Sequence, residues 1–405
     1  MVTFDDLFKA YKSCRQGKKP SNVQTSFELK LGKNLSELEH EINTRAYHPS
    51  PYRTFIVTHP KPREIFAANF RDRVVHHLIV SRLEPIWENK FYHGSFACRI
   101  GRGTHGALRY CKNLYNRISE GGKKEVWVLQ LDIASFFITI SRPILKELLL
   151  ENIKDEELSW LVSITFDNDP RINASIGSSK ERRTLVPLNK SLFGRPTTDG
   201  LPIGNLTSQF GANVYLNALD HYISRKLRPQ GYFRYMDDLT LLDTNREKLE
   251  SLIQPISEWL KSERGQDLHP LKTTLKSLQK DSIELLGYRL LAPKDELIMQ
   301  TRKSKQWAFI AQLREYESKK IPPSYLKHSL DVDPSNKKIK SMIGKINSHL
   351  GLMKHSQSYQ FRKNSLTKFR EHINNELDFL GENKLMIKGN FSSLKQHRIK
   401  IKKGV

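Results

Sequence analysis

The sequence predicts a mixed α/β fold of the α+β kind, in which helices pack on an antiparallel sheet. A run of aromatic and aliphatic residues at 232–242, interrupted by two adjacent acids, predicts a hairpin with buried arms. A second strand-like run covers 126–131. Apolar residues recur at helical spacing in 71–86 and again in 210–223, which predicts two helices that contribute to the core.

Three acids follow or interrupt these predicted strands. Asp237 and Asp238 occupy the turn of the hairpin, and Asp132 ends the strand-like run before it. An isolated Asp-Asp pair is typical of a solvated loop, but two like charges between apolar arms are costly to bury without a positive partner. We therefore expect the three carboxylates to hold two hard cations such as Mg²⁺, with Mn²⁺ as an alternative, in the geometry of an in-line phosphoryl transfer.

Composition points to a polyanionic partner. The 405 residues carry a formal net charge of +24 and 14 histidines, and clustered Lys and Arg gain affinity for nucleic acid by releasing counterions from phosphates. A basic membrane-surface protein is the rival interpretation. No apolar run reaches about 18 residues and the N-terminus lacks the apolar core of a signal peptide, so we expect a cytoplasmic protein without a membrane partner. The three cysteines are widely spaced and predict neither a disulfide framework nor a zinc site.

Breaks in the pattern divide the chain into five predicted segments. They are a helical lead-in at 1–50, a mixed segment at 51–118, a sheet-containing segment at 119–292 with a long loop at 167–200, a helical basic segment at 293–375, and a basic tail at 376–405. Asp167 and Asp169 in the loop are expected to be solvated. The tail is either an arm that contacts phosphates or a solubilising end.

The glycines of 101–106 satisfy the GxGxxG pattern between a predicted strand and a helix. This is the local context of a dinucleotide-binding fold, but nothing downstream repeats the βαβ pattern of such a fold. Arg99 and Arg102 accompany the glycines. We therefore expect a loop whose backbone approaches the phosphates of a nucleic acid or a triphosphate.

Several motifs in order resemble those of reverse transcriptases, and among these the bacterial and phage enzymes of diversity-generating retroelements. The matching stretches are Tyr235 to Asp238, Asp132 to Phe137, Arg71 to His77, Ser95 to Leu108, Lys190 to Phe193 ahead of Gly200 to Gln209, and Gly351 to Arg362. The resemblance covers roughly residues 52–362. It implies a right-hand polymerase with fingers at 51–118, a palm on an antiparallel sheet at 119–292 and a helical thumb at 293–375.

The resemblance also implies roles for individual residues. Asp132, Asp237 and Asp238, with Ile133, would be the metal ligands, and Lys272 would be a catalytic proton donor to the leaving pyrophosphate. The residues expected to contact the incoming nucleotide are Arg63, Arg99, Phe137, Gly204 and Gln209, with Phe137 as a steric gate against a ribose 2′-hydroxyl. The residues expected to contact nucleic acid are Arg102, Tyr235, Met236, Gly287 and Tyr288.

One departure from most reverse transcriptases bears on fidelity. Ile203-Gly204 and Ser208-Gln209 stand where the family commonly has Gln-Gly and Ser-Pro. An Ile under the template base would remove a hydrogen bond that helps to check the nascent pair, so we expect relaxed fidelity.

The resemblance leaves three biological interpretations open. The enzyme copies a template RNA into cDNA from dNTPs within a diversity-generating retroelement, or it copies a dedicated non-coding RNA in antiphage defence, or it is a non-catalytic RNA-binding protein of the maturase kind. Retention of all three acids argues against the last. A small basic accessory protein or a second copy of the chain is the expected protein partner.

Overall fold

The computed structural model describes residues 1–17, 20–59, 61–294, 296–318, 344–353, 355–356, 361, 364–365, 377–379 and 385–387. The chain divides into two compact units. The first consists of residues 1–118 and 126–275, and the second of residues 119–125 and 276–405. Most of the predicted thumb and tail lies outside the described residues.

The first unit is mixed α/β, as predicted. Its helices are α1 Phe4–Arg15, α2 Asn22–Glu28, α3 Leu31–Asn43, α4 Phe70–Glu88, α5 Gly103–Ile118, α6 Phe136–Thr139, α7 Arg142–Leu150, α8 Glu156–Asp167, α9 Lys180–Arg183, α10 Leu206–Tyr222, α11 Arg246–Ser251 and α12 Ile253–Arg264. Its strands are β1 Arg53–Val57, β2 Arg63–Ala67, β3 Trp127–Asp132, β4 Ser175–Ile176, β5 Gly231–Tyr235 and β6 Asp238–Asp243, with β7 Thr274–Ser277 beginning at its boundary.

The two strands expected to carry the acids are neighbours in one sheet of order β5-β6-β3-β7. Strand β6 pairs antiparallel with both β5 and β3, so the hairpin predicted over 232–242 is confirmed, with strands that extend over 231–243. The inner residues Leu129, Leu239 and Leu241 are fully buried. Burial of both arms explains why the sequence here reads as nearly continuous apolar runs rather than as a strict alternation.

Helices α4 and α10 form the core behind this sheet. Val74, Val75 and Ile79 of α4 belong to the same buried cluster as Val214 and Leu219 of α10 and the sheet residues. Asn69 caps α4 by accepting a hydrogen bond from the amide of Arg71. Ser141 and Asp155 cap α7 and α8 in the same way.

The 167–200 region corrects one expectation. Asp167 is exposed and pairs with Lys146, but Asp169 is buried and accepts two hydrogen bonds from the guanidinium of Arg171, at 2.7 and 2.8 Å. Arg171 also donates to the carbonyl oxygens of Leu192 and Arg195. The bidentate pair is therefore the centre around which this long polar loop folds, and Asp169 is not solvated.

The second unit contains a separate antiparallel sheet of order β10-β9-β8, with β8 Ile283–Leu285, β9 Tyr288–Lys294 and β10 Glu296–Thr301. Helix α13 Lys303–Ser318 and the helix 344–353 follow it. Strands β11 Leu377–Phe379 and β12 Leu385–Ile387 pair antiparallel. Strand β10 lies where helix was expected.

No helix in the described part of the chain combines the length and apolar character needed to cross a membrane.

A buried histidine of α4 predicts a pH-dependent stability. Burial, with smaller contributions from His77 and Arg73, lowers the pKa of His76 to about 3. A group whose pKa is depressed by folding contributes stability above its unfolded pKa, about 6.5, that is lost as the pH falls toward the folded value. We expect His76→Leu to remove about 1.4 kcal/mol per pH unit from the pH dependence of the free energy of unfolding between pH 6 and 4.

The measurement is urea unfolding at a series of pH values. His40 is exposed on α3, so His40→Leu is the matched control and leaves the pH dependence unchanged. The same pH dependence of the free energy of unfolding in His76→Leu and the wild-type chain would show that folding does not lower the pKa of His76.

Candidate active site

Strand pairing brings the three predicted acids to one end of the sheet. Asp132 is directly opposite Asp238 in the β3–β6 register, and Tyr235 is opposite Asp238 across the hairpin. Asp237 lies in the turn, where its carbonyl oxygen accepts a hydrogen bond of 3.3 Å from the amide of Ile133. Residues more than 100 positions apart in sequence therefore present their carboxylates at the same edge.

Lys272 reaches the same place from the chain that precedes β7. Its Nζ lies 2.8 Å from both carboxylate oxygens of Asp132. The local backbone supports this approach, since the amide of His269 donates to the Asp132 carbonyl oxygen at 2.7 Å and the amide of Lys272 donates to the carbonyl oxygen of His269. The ammonium is thus the positive group that faces the acids in this structure.

The electrostatics of the acids favour a cation. Desolvation and the charge of Asp132 raise the pKa of Asp237, against the lowering effects of Lys272 and Arg63. Desolvation, followed by repulsion from Asp237 and Asp132, raises the pKa of Asp238 to about 7. A divalent ion would relieve this repulsion, because carboxylate oxygens are the ligands that Mg²⁺ prefers.

The donor set thus fits the expected metal ions in its chemistry. Asp132, Asp237 and Asp238 supply six carboxylate oxygens at the edge of a rigid sheet, with Lys272 as the counter-charge. Within the described part of the chain, no three metal-binding side chains already converge on one point. Ile133 has a buried side chain, and only its backbone faces the turn.

A buried arginine holds the hairpin turn in place. Met236 adopts a left-handed conformation with φ of +58°, which is uncommon for a non-glycine residue. Its carbonyl oxygen accepts a hydrogen bond of 2.9 Å from Nη1 of Arg234, whose side chain is fully buried. The same guanidinium donates to both carboxylate oxygens of Asp220 on α10, at 2.7 and 2.8 Å.

All five N–H donors of Arg234 are used. The remaining two hydrogen bonds reach Asn213 Oδ1 and Ser95 Oγ, each at 3.2 Å. Asp220 is fully buried as well and also accepts from the hydroxyl of Tyr232 at 2.7 Å. This network joins α10, β5 and the loop that contains Ser95 to the turn that carries the acids. It could not be predicted from the sequence, because nothing in the pattern of residues 213–234 pairs Arg234 with Asp220.

The residues expected to contact the nucleotide lie on several elements of the first unit. Arg63 is exposed at the start of β2, and its charge lowers the pKa of Asp237. Phe137 is half-buried and packs edge-on against Phe136, with ring centroids 5.5 Å apart. The carbonyl oxygen of Phe137 accepts from the amide of Leu201 at 2.8 Å, which ties this turn to the 201–205 loop.

Gly204 lies in that loop beside β2. Its φ is +111°, and a Cβ atom at this position would lie 3.1 Å from Ile65 Cγ2, so a side chain would introduce strain. Asn205 fixes the loop by donating to the Phe66 carbonyl oxygen at 2.8 Å. Gln209 is half-buried in the first turn of α10.

Arg99, which is expected to hold a triphosphate, makes its contacts in this structure within the protein. Its side chain is 3% exposed and pairs with Glu88 at 2.6 Å. Its Nη1 donates to the carbonyl oxygens of Tyr92 and Ser95, at 2.8 Å each. Arg99 therefore organises the 92–99 loop, whereas Arg102 is exposed over the ring of Phe96.

The other residues expected to contact nucleic acid fall in both units. In the first, Tyr235 is half-buried and its hydroxyl is 3.1 Å from Thr104 Oγ1 at the start of α5. In the second, Gly287 has φ of +90° in the β8–β9 turn, and Tyr288 is fully buried. The hydroxyl of Tyr288 donates to the Leu352 carbonyl oxygen at 2.7 Å, so its ring is part of the core of that unit.

The order and placement of these motifs match a known family. The profile described as reverse transcriptase (RNA-dependent DNA polymerase) matches residues 58–290, more than half of the 405 residues. The chain belongs to the reverse transcriptase family. The mixed α/β fold with antiparallel sheets agrees with this membership and confirms the predicted fold class.

Relatives of this reverse transcriptase include bacterial and intron-encoded proteins. YkfC of Escherichia coli K12 is 26% identical over 205 residues, which are 50% of this chain and 49% of YkfC. The group II intron-encoded protein LtrA of Lactococcus lactis subsp. cremoris is 24% identical over 225 residues, 55% of this chain and 33% of LtrA. Nuclear intron maturase 4, mitochondrial, of Arabidopsis thaliana is 25% identical over 281 residues, 65% of this chain and 31% of that protein. The chain thus spans about half the length of YkfC and about a third of each of the other two proteins.

The Arg234 network predicts a large effect on stability. Arg234→Met leaves the buried carboxylate of Asp220 without its cation, which costs about 3–5 kcal/mol in the free energy of unfolding of the first unit. Urea unfolding measures this loss. Arg234→Met/Asp220→Leu removes both charges and restores most of the stability. If Arg234→Met alone were as stable as the wild-type chain, the Arg234–Asp220 pair would have to be solvated.

Proposed function

We propose that the protein is an RNA-directed DNA polymerase that adds dNTPs to a 3′-hydroxyl on an RNA template. The observation that carries this proposal is the pairing of Asp132 opposite Asp238 beside the Asp237 turn. Membership of the reverse transcriptase family and the net charge of +24 support it, because the substrate and the template are both polyanions.

The proposed roles follow from positions around the acids. Asp132, Asp237 and Asp238 would hold two Mg²⁺ ions, which supply Lewis-acid activation of the 3′-hydroxyl and charge neutralisation at the leaving pyrophosphate when bound. Arg63 faces the acids from β2 and would bind the triphosphate. Lys272, whose Nζ lies 2.8 Å from Asp132 in this structure, would turn from that carboxylate to protonate the leaving pyrophosphate. Phe137 would exclude a ribose 2′-hydroxyl.

The acids give the direct test of polymerase activity. Asp237→Ala and Asp238→Ala should each lower the rate of primer extension on an RNA template by at least about 1000-fold, because each removes metal-binding oxygens from the reacting centre. Binding of the primer–template duplex should persist. Asp267→Ala is the matched control, since Asp267 is an exposed acid paired with Lys261 outside the site. Equal extension by Asp237→Ala and wild type would refute the proposal.

We further propose that the enzyme copies its RNA with relaxed fidelity, as in a diversity-generating retroelement. Support comes from the Ile203-Gly204 pair, whose loop is tied to β2 by the hydrogen bond from the Phe66 amide to the Ile203 carbonyl oxygen at 3.1 Å. This contact uses only the backbone, so the side chain of Ile203 can be changed without removing it. Nucleic acid that copurifies with the protein distinguishes a retroelement template from the dedicated RNA of a defence system.

Substitution of Ile203 tests the fidelity proposal. Ile203→Gln should lower misincorporation opposite template adenine about fivefold, because one net hydrogen bond contributes ~1 kcal/mol. Ile203→Met keeps a similar volume without a polar group and should leave misincorporation unchanged. Single-nucleotide incorporation opposite adenine, with each dNTP supplied separately, measures the ratio. A wild-type ratio already as low as that of Ile203→Gln would contradict relaxed fidelity.

A second candidate function is RNA binding of the maturase kind. The name of the relative Nuclear intron maturase 4 favours it, and the basic character of the chain would suffice for it. The Asp237→Ala variant separates the two functions. If it still promotes RNA folding or splicing, the protein has a maturase function that does not need the acids.

A further inference from the structure

A basic cavity in the first unit lies away from the acids. Its volume is about 750 Å³, and its lining comes from the end of α4 and the following loop, from α5, from the end of α10 and from the start of β5. Gly231 at this cavity pairs with Leu242, four residues along β6 from Asp238. At about 3.4 Å per residue the cavity is therefore on the order of 14 Å from the acids along the sheet.

The charge of the cavity is of one sign. Lys90, Arg117 and Arg225 line it, and among the described residues of its lining none is Asp or Glu. Arg117 and Arg225 are exposed. Arg117 donates a hydrogen bond to the Gln230 carbonyl oxygen at 2.7 Å. Three cations without an acidic neighbour in the lining favour an anionic ligand.

Aromatic and imidazole side chains lie between these cations. The ring of Tyr110 is half-buried, and its hydroxyl is 2.8 Å from His93 Nε2. Burial, followed by the charges of Arg102, Arg99 and Arg117, lowers the pKa of His93. Nε2 of His221 is 2.9 Å from the Lys90 carbonyl oxygen, to which it donates, while its buried Nδ1 has no hydrogen-bond partner among the described residues.

We propose that this cavity is a second nucleic-acid site, which binds a single-stranded segment outside the catalytic cleft, that is, outside the proposed polymerase site around Asp132, Asp237 and Asp238. Arg117 and Arg225 bind the phosphates, and Tyr110 and His93 provide the faces and edges that contact a base. A volume of about 750 Å³ falls in the range of ligand pockets and accommodates a nucleotide with part of its neighbour. The site does not depend on polymerase activity and goes beyond the proposed function.

Binding of a labelled single strand tests the proposal while the catalytic cleft is filled with a chain-terminated primer–template duplex. Fluorescence anisotropy should show that Arg117→Ala/Arg225→Ala binds a single strand of about 12 nucleotides roughly tenfold more weakly than wild type at about 0.1 M salt. The slope of log affinity against log salt should fall by about 1.4, since two single-strand phosphate contacts are lost. Separate RNA and DNA strands of the same sequence decide which is bound more tightly.

Control variants separate a loss of the cavity from a loss of net charge. Lys30→Ala/Arg182→Ala removes the same charge from exposed positions that do not line the cavity, and it should leave the affinity and slope near wild type. Arg225→Ala alone covers the case in which loss of the Arg117 hydrogen bond unfolds the protein. Primer extension on a short duplex should be unchanged in the cavity variants.

Two results would overturn the proposal. Equal weakening by the cavity and control variants would reduce the effect to net charge. Displacement of the labelled strand by inorganic phosphate or AMP at the same concentration as by an unlabelled strand would identify a small-anion site. If the duplex does not bind but single-strand binding still depends on the cavity residues, only the proposed polymerase function is refuted.

Discussion

The ion pair between Arg234 and Asp220 is the constraint on which the site depends. Both side chains are fully buried, and their separation is 2.7 Å. A buried pair of this kind contributes little net stability compared with an apolar replacement, but it fixes geometry because each partner is costly to leave alone. Here the geometry concerns Met236, whose left-handed backbone is held through its carbonyl oxygen. The turn that presents Asp237 and Asp238 is thereby attached to α10.

The acids themselves are arranged at the expense of electrostatic stability. Asp132 and Asp238 face each other across neighbouring strands, and the pKa values of Asp237 and Asp238 are raised by desolvation and mutual repulsion. The register of β3 and β6 keeps the backbones of Asp132 and Asp238 opposite each other. This stored repulsion creates affinity for cations, which in this structure is met on Asp132 by the ammonium of Lys272. The proposed chemistry requires that ammonium to face the leaving phosphate instead.

Strand β5 connects two differently charged ends of the first unit. At its Tyr235 end are the acids, and at its Gly231 end is the cavity lined by Lys90, Arg117 and Arg225. The acids at one end favour bound cations, whereas the cavity at the other end already carries basic side chains. A polymerase that binds long RNA benefits from contacts beyond its cleft, because each phosphate contact adds affinity without sequence preference.

Local features of the sequence determined the hairpin, the helices α4 and α10, the three acids and the basic character, because these depend on periodicity and composition over short windows. The tertiary structure decided which charges meet. Arg99 is neutralised by Glu88 and Asp169 by Arg171, whereas Arg63 stays exposed. Asp220 and Arg234 find each other across the interface of a helix and a sheet. Such pairings arise from long-range packing. The identity of a charged residue does not indicate whether its partner is water, a phosphate or a buried side chain.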